Sequence, residues 1–157
     1  MGQIFNWQEK LTVPNALRLS HDEARAEFVR ATMEGGRIGK AGKHLAQLCL
    51  PHFEHEEKNI FPVLPLLSDL AQGNFRPEMS EVMTMISNFR AKHEALEKHH
   101  QAIASAIEDL LQAAQREKSR EFTEFAFNLR VHEMTEDEVI YPTVLLIGKY
   151  LQEKFAH

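Results

Sequence analysis

The chain has 157 residues, of which 43% are hydrophobic and 26% are charged, a balance typical of one globular domain with a substantial core. A net charge of -5 without any basic cluster argues against a nucleic-acid partner, and no apolar run reaches the length of a membrane span. The single cysteine, Cys49, excludes an internal disulfide framework and suits a reducing compartment, so we expect a cytoplasmic protein.

Helical periodicity dominates the first half of the chain, and the alternation expected of strands is absent from the sequence. Residues 1–13 are predicted to form an irregular N-terminal arm. A first helix begins at Pro14, or at the capping box that starts with Ser20, and ends at the glycines 35–36. A second helix is predicted over about 40–62, where proline closes it.

The second half repeats this organisation. Proline at position 77 opens a long third helix with an apolar stripe, predicted to continue to about residue 116, and a fourth helix is predicted over 119–140. Pro142 should then break the chain before a short C-terminal helix, 143–157. Four main helices with short links predict a single all-α domain, an antiparallel up-down-up-down four-helix bundle.

Two stretches, HFEHEEKNIFP and HEMTEDEVIYP, align without a gap and each begins with a His-x-x-x-Glu pair. In a helix, residues four apart lie on one face, so His52 with Glu56, and His132 with Glu136, can point together into the core. Two buried carboxylates would repel one another and would be costly, and a cation between them removes both penalties. Imidazole with carboxylate suits iron, manganese or zinc better than calcium.

A lone histidine precedes each pair, His21 in the first half and His93 in the second. This order resembles that of a hemerythrin-like domain, and the resemblance covers about residues 15–145. It implies a four-helix bundle that holds an oxo- or hydroxo-bridged pair of irons, with manganese or zinc as substitutes. The implied terminal ligands are His21, His52, His93 and His132. The implied bridging carboxylates are Glu56 and Glu136.

One position departs from the pattern of oxygen-carrying hemerythrins. Those proteins have a second histidine one turn after the third-helix histidine, and here that position is Glu97. Two six-coordinate irons offer about twelve positions, and with Glu97 as a ligand about one stays open for a small diatomic molecule or peroxide. A carboxylate in place of an imidazole favours ferric iron, which shifts the expected role from oxygen transport toward redox, sensing or iron handling.

The third helix offers an alternative register. His100 follows His93 by two helical turns on the same face, and it binds the centre only if the register of this helix is shifted. Glu97 and His100 also form a Glu-x-x-His pair, which ferritin-like bundles use, but that fold needs two such pairs.

Three functions fit these patterns. The first is a non-haem di-iron protein that binds dioxygen, nitric oxide or peroxide in a redox or sensing role, with no catalytic residue assigned. The second is an iron-handling or iron-sensing bundle without catalysis, and the third is a structural bundle with a zinc-filled or vestigial site.

Overall fold

A computed structural model describes the backbone of residues 7–157 and the side chains of residues 9–157, and within this range the fold is all-α without strands. Residues 1–6, predicted as part of the N-terminal arm, lie outside the described residues. The α-helices in chain order are α1 (Trp7–Lys10), α2 (Asn15–Glu34), α3 (Gly36–Asn59), α4 (Leu66–Ala71), α5 (Met83–Arg116), α6 (Arg120–Thr135) and α7 (Tyr141–Phe155). Short 3-10 turns cover Phe61–Val63 and Pro77–Val82, and one π-helical turn covers Glu136–Ile140.

Four helical segments build the body of the protein. Helix α3 packs against both α2 and α5, α5 also packs against α6, and α2 touches α6. The segment α6, the π-helical turn and α7 follow one another directly. Each long helix therefore has two long neighbours, and the faces that they turn toward each other are buried. Within residues 7–157, no helix combines the length and the apolar character that a membrane span requires.

The link between α2 and α3 is shorter than predicted. Gly35 is the single residue between the two helices, and its φ of 71° lies in the left-handed region that glycine adopts without strain. Helix α3 therefore starts at Gly36, several residues before the predicted start, and its apolar face is extended by Ile38.

Pro142 does not break the chain as predicted. It lies in the first turn of α7, directly after the π-helical turn, and the N–H of Tyr141 bonds to the carbonyl of Glu136, five residues earlier. A proline clashes with the carbonyl four residues before it in a regular helix, and at the first turn of a new helix it is tolerated. The wider turn thus lets the helical segment continue through the proline.

The apolar core forms two clusters that flank a polar layer. Phe53 belongs to the first cluster, which is built mainly from α2, α3, α5 and α6, and Phe61 and Tyr141 belong to the second. All three rings contact histidines of the polar layer. Buried charged and polar side chains are therefore sandwiched between apolar residues, where they need partners of their own.

Candidate metal centre

Five of the residues that the sequence singled out lie together in this polar layer. His21 from α2, His52 and Glu56 from α3, His132 from the end of α6 and Glu136 from the π-helical turn converge within it. Four of these side chains are at least 95% buried, and His132 is nearly so. The two His-x-x-x-Glu pairs therefore do point inward, as the four-residue spacing predicts.

One half of the cluster is built around His52 and His100. Their Nε2 atoms lie 2.8 Å apart. Oε2 of Glu133 and Oε2 of Glu136 lie 3.2 Å and 3.4 Å from Nε2 of His100. Two imidazoles and two carboxylates thus converge in a buried volume, and these four residues form a group that could hold a metal ion.

The other half is built around His21 and His132, whose Nε2 atoms lie 3.2 Å apart. Oε1 of Glu136 contacts Nε2 of His132, and these three residues form a second group that could hold a metal ion. Oε1 of Glu56 also lies 3.6 Å from Nε2 of His21. Two imidazoles again meet two carboxylates.

Both halves share the same two carboxylates. Glu136 directs Oε1 toward His132 and Oε2 toward His52 and His100. Oε1 of Glu56 lies 3.3 Å from Nε2 of His52 and 3.6 Å from Nε2 of His21. Glu56 and Glu136 therefore lie between the two histidine pairs, which is the arrangement expected of carboxylates that bridge two cations.

The outer ring nitrogens of three histidines are fixed by partners nearer the surface. Nδ1 of His21 donates to Glu57 across 2.9 Å, and Nδ1 of His100 donates to Asp137 across 2.7 Å. Such hydrogen bonds hold the proton on Nδ1 and aim the lone pair of Nε2 inward, which is how metal-binding histidines are commonly oriented.

The third orienting contact joins Nδ1 of His132 to Oγ of Ser20 across 2.8 Å. Arg25 donates to both oxygens of Glu57, at 2.8 Å and 2.9 Å, and so fixes the carboxylate that orients His21. The support of the centre thus extends outward to α2 and to the last turn of α3.

Burial and mutual repulsion shift the proton affinities of the cluster. Burial lowers the pKa of His21 to about 4 despite its hydrogen bond to Glu57. Burial also raises the pKa of Glu133 to about 8, together with the charge of Glu136. Burial alone would lower the pKa of His100, but its contact with Glu136 and the charge of Glu133 outweigh burial and raise this pKa to about 9.

The two shared carboxylates shift in opposite directions. Burial and the charge of Glu136 raise the pKa of Glu56 well above its usual range. Burial acts in the same direction on Glu136, but its close contacts with Glu56, His100 and His132 hold its pKa well below that range. The pair therefore accommodates one negative charge readily and a second one only at a cost.

Several buried carboxylate oxygens of this cluster make no hydrogen bond with the described residues. These atoms are Oε1 of Glu56, both oxygens of Glu133 and both oxygens of Glu136. Native proteins rarely leave buried charged atoms in this condition, because the lost hydration is not recovered. The donors that face them, imidazole and carboxylate, are those that iron, manganese and zinc accept, so the residues present fit a metal centre.

The remaining two predicted ligands lie outside this cluster. Nδ1 of His93 lies 3.8 Å from Oε1 of Glu97, and the two side chains are 32% and 55% exposed. Neither belongs to the two groups of donors that lie within 4.8 Å of one another. The structure therefore places His100, the residue of the shifted alternative, among the buried donors, and it places His93 and Glu97 outside them.

Repeat spacing could have identified His100. His21 and its partner Glu57 are separated by 36 residues, and His100 and its partner Asp137 are separated by 37. Glu57 and Asp137 each follow a shared carboxylate directly in the sequence. With His93 in place of His100, the second separation would have been seven residues longer.

Glu133 was missed because its counterpart in the first half is Phe53, so the internal repeat gave no signal for it. Phe53 stacks on His21 with ring centroids 3.9 Å apart and an interplanar angle of 13°. The position after the second-half histidine thus carries a carboxylate instead of a ring. Only its three-residue spacing from Glu136 places it on the inward face.

Aromatic rings close the centre on the side of the second core cluster. The ring of Tyr141 stacks on His100 at 5.2 Å, and its hydroxyl donates to Oε2 of Glu56 across 2.9 Å. The ring of Phe61 lies 5.4 Å from His21. These rings, with Phe53, limit access of bulk water to the shared carboxylates.

Comparison with protein family models, with curated proteins and with solved structures finds no match for this chain.

Proposed function

We propose that this protein is a non-haem di-iron protein that binds a small ligand, such as dioxygen, nitric oxide or peroxide, in a redox or sensing role. The observation that carries the proposal is the position of Glu56 and Glu136 between two histidine pairs. Each carboxylate lies within 3.7 Å of a histidine from both pairs. A single cation uses only part of this donor set, whereas two cations use all of it.

The proposed architecture is an antiparallel up-down-up-down four-helix bundle of the hemerythrin-like kind. Two features support it. The long helices make neighbouring contacts in the order α2, α3, α5 and α6, and α6 returns to α2. The donors come from all four of these segments, as expected when a metal centre is built inside a bundle.

In this proposal the terminal ligands are four histidines and one glutamate, namely His21, His52, His100, His132 and Glu133. Glu56 and Glu136 would bind both ions. Two irons supply a redox-active pair and coordination room for a small molecule. Iron is favoured over zinc because five terminal and two bridging residues supply about nine donor atoms, whereas two zinc ions usually take about eight.

The surroundings of the centre suit a small ligand. A cleft of about 570 Å³, whose lining includes His93, Glu97 and Asp137, reaches His100 from the surface. The apolar rings of Phe53 and Phe61 lie on the opposite histidine pair. A diatomic molecule is small enough to travel from this cleft to the buried donors around His100.

Metal analysis combined with an optical spectrum tests this proposal. Protein purified or reconstituted without oxygen should contain about two irons per chain. Exposure to dioxygen or nitric oxide should then change its charge-transfer bands. The Glu136→Gln variant should lose iron, whereas Glu138→Gln, which changes an exposed residue two positions away, should not. Colourless protein without iron after anaerobic reconstitution would overturn the proposal.

An iron-sensing role is a second candidate, favoured by the buried carboxylate oxygens that lack donors. A bundle that depends on cations to neutralise these atoms loses stability when metal is scarce, because the free energy of binding becomes free energy of folding. Limited proteolysis with and without iron distinguishes this candidate. Equal cleavage of both forms would contradict a sensing role and would leave the ligand-binding role intact.

A further inference from the structure

The two halves of the centre are built on one repeated frame but differ at two positions. Directly after the histidine of the His-x-x-x-Glu pair stands Phe53 in the first half and Glu133 in the second. Nine residues after that histidine stand Phe61 and Tyr141. Both differences place polar groups beside His100 and apolar rings beside His21.

Glu133 belongs to only one of the two donor groups. Its Oε2 lies 3.2 Å from Nε2 of His100, and it is absent from the group formed by His21, His132 and Glu136. Both of its oxygens are buried, and neither makes a hydrogen bond with the described residues. A carboxylate in this condition, aimed at two imidazole nitrogens that are 2.8 Å apart, points to a cation at that position.

The charge around the other pair is lower. His21 stacks on Phe53, and its ring lies 5.4 Å from the ring of Phe61. Two carboxylates lie within 3.6 Å of Nε2 of His21 or of His132, and both are the shared ones, Glu56 and Glu136. A cation between His21 and His132 would therefore lack a carboxylate of its own. A carboxylate beside a buried cation gives up its proton when the cation binds and then adds one full negative charge, which favours the cation that lies nearest to it.

We propose that Glu133 makes the two metal positions unequal. The His52–His100–Glu133 position binds its ion first and more tightly, and the His21–His132 position fills second and exchanges its ion more readily. At limiting metal the protein then holds one ion per chain, at the Glu133 end. This inference rests on the dinuclear centre proposed above and adds which residue decides the order of loading.

Anaerobic titration of the metal-free full-length protein with Co²⁺, followed by visible absorption and equilibrium dialysis, tests the order of loading. Wild-type protein should bind two ions in two steps whose dissociation constants differ by about tenfold or more. Glu133→Gln keeps the shape of the side chain and removes its charge, and it should weaken the first step about tenfold or more. Glu138→Gln is the matched control, since this exposed residue lies in the same helical segment.

Two further variants assign the steps without relying on Glu133. His21→Ala should abolish the weaker step and keep the tighter one, and His100→Ala should abolish the tighter one. Two equal steps in the wild type, or an unchanged first step in Glu133→Gln, would overturn the proposal while leaving a dinuclear centre in place. Uptake of fewer than two ions by the wild type would instead overturn the dinuclear centre itself.

Discussion

Glu57 accepts a hydrogen bond from Nδ1 of His21 across 2.9 Å, and Asp137 stands in the same relation to His100 across 2.7 Å. In each half of the chain, the residue after a shared carboxylate thus orients a histidine of the preceding long helix, His21 or His100. The two halves agree because consecutive helical residues point in different directions. The shared carboxylate faces Nε2 of the histidine, and the next residue reaches Nδ1 on the outer edge of the same ring.

Glu57→Gln should weaken metal binding while the protein stays folded. The amide cannot hold the proton on Nδ1 of His21 as a carboxylate does, so Nε2 becomes a poorer ligand, and affinity should fall by about 10- to 100-fold. Competition with a chromophoric chelator measures the change. Glu54→Gln is the control, because Glu54 lies on the same helix, is 66% exposed and pairs with Lys58. Equal affinities for both variants would contradict an orienting role.

His100→Ala and His93→Ala should differ sharply in their effects on metal content. His100 is 4% exposed and its Nε2 faces three other donors, whereas His93 is 32% exposed in its side chain and lies at the rim of the cleft. His100→Ala should therefore lose about one ion per chain, and His93→Ala should keep both. Metal analysis after gel filtration measures the difference, and the reverse result would restore the original register of α5.

The choice between these two histidines shows where the sequence stops being informative. Residues seven apart lie on the same face of a helix, so the apolar stripe of α5 accepts either one as the inward group. The pairs His52 with Glu56 and His132 with Glu136 carried no such ambiguity, because the four-residue spacing within each pair fixes a common face. Local periodicity thus predicted the inward-facing residues within each pair but not the axial position of a long helix.

The path of the last helical segment was beyond sequence reasoning for a different reason. Pro142 ordinarily ends a helix, and the π-helical turn over 136–140 that accommodates it depends on packing around the buried Glu136 and Tyr141. That turn also brings Tyr141 onto the centre, where its hydroxyl reaches Glu56. Propensity carries no information about such a turn because its stability comes from tertiary contacts.

Removing the metal should lower the thermal stability of the protein. Chelation leaves Glu56, Glu133 and Glu136 buried with oxygens that make no hydrogen bond with the described residues. Free metal at about a thousand times the dissociation constant contributes about 4 kcal/mol, which corresponds to a rise in Tm of about 8–16 °C for a chain of this size. Calorimetry with metal and with chelator measures the shift. An identical Tm in both conditions would exclude metal binding to the folded state.

Metal affinity should increase with pH through neutrality. The metal-free centre binds protons at His100 and Glu133, whose pKa values are raised to about 9 and about 8, and a cation must displace these protons. Below a group's pKa, each displaced proton costs about tenfold in affinity for every pH unit, so affinity should rise steeply from pH 6 to pH 8 and level off near pH 9. Chelator competition at four pH values measures this slope. The Glu133→Gln side chain cannot bind a proton. In this variant, the slope of the logarithm of affinity against pH should therefore be lower by up to one. An unchanged slope would show that Glu133 is already ionised in the metal-free protein.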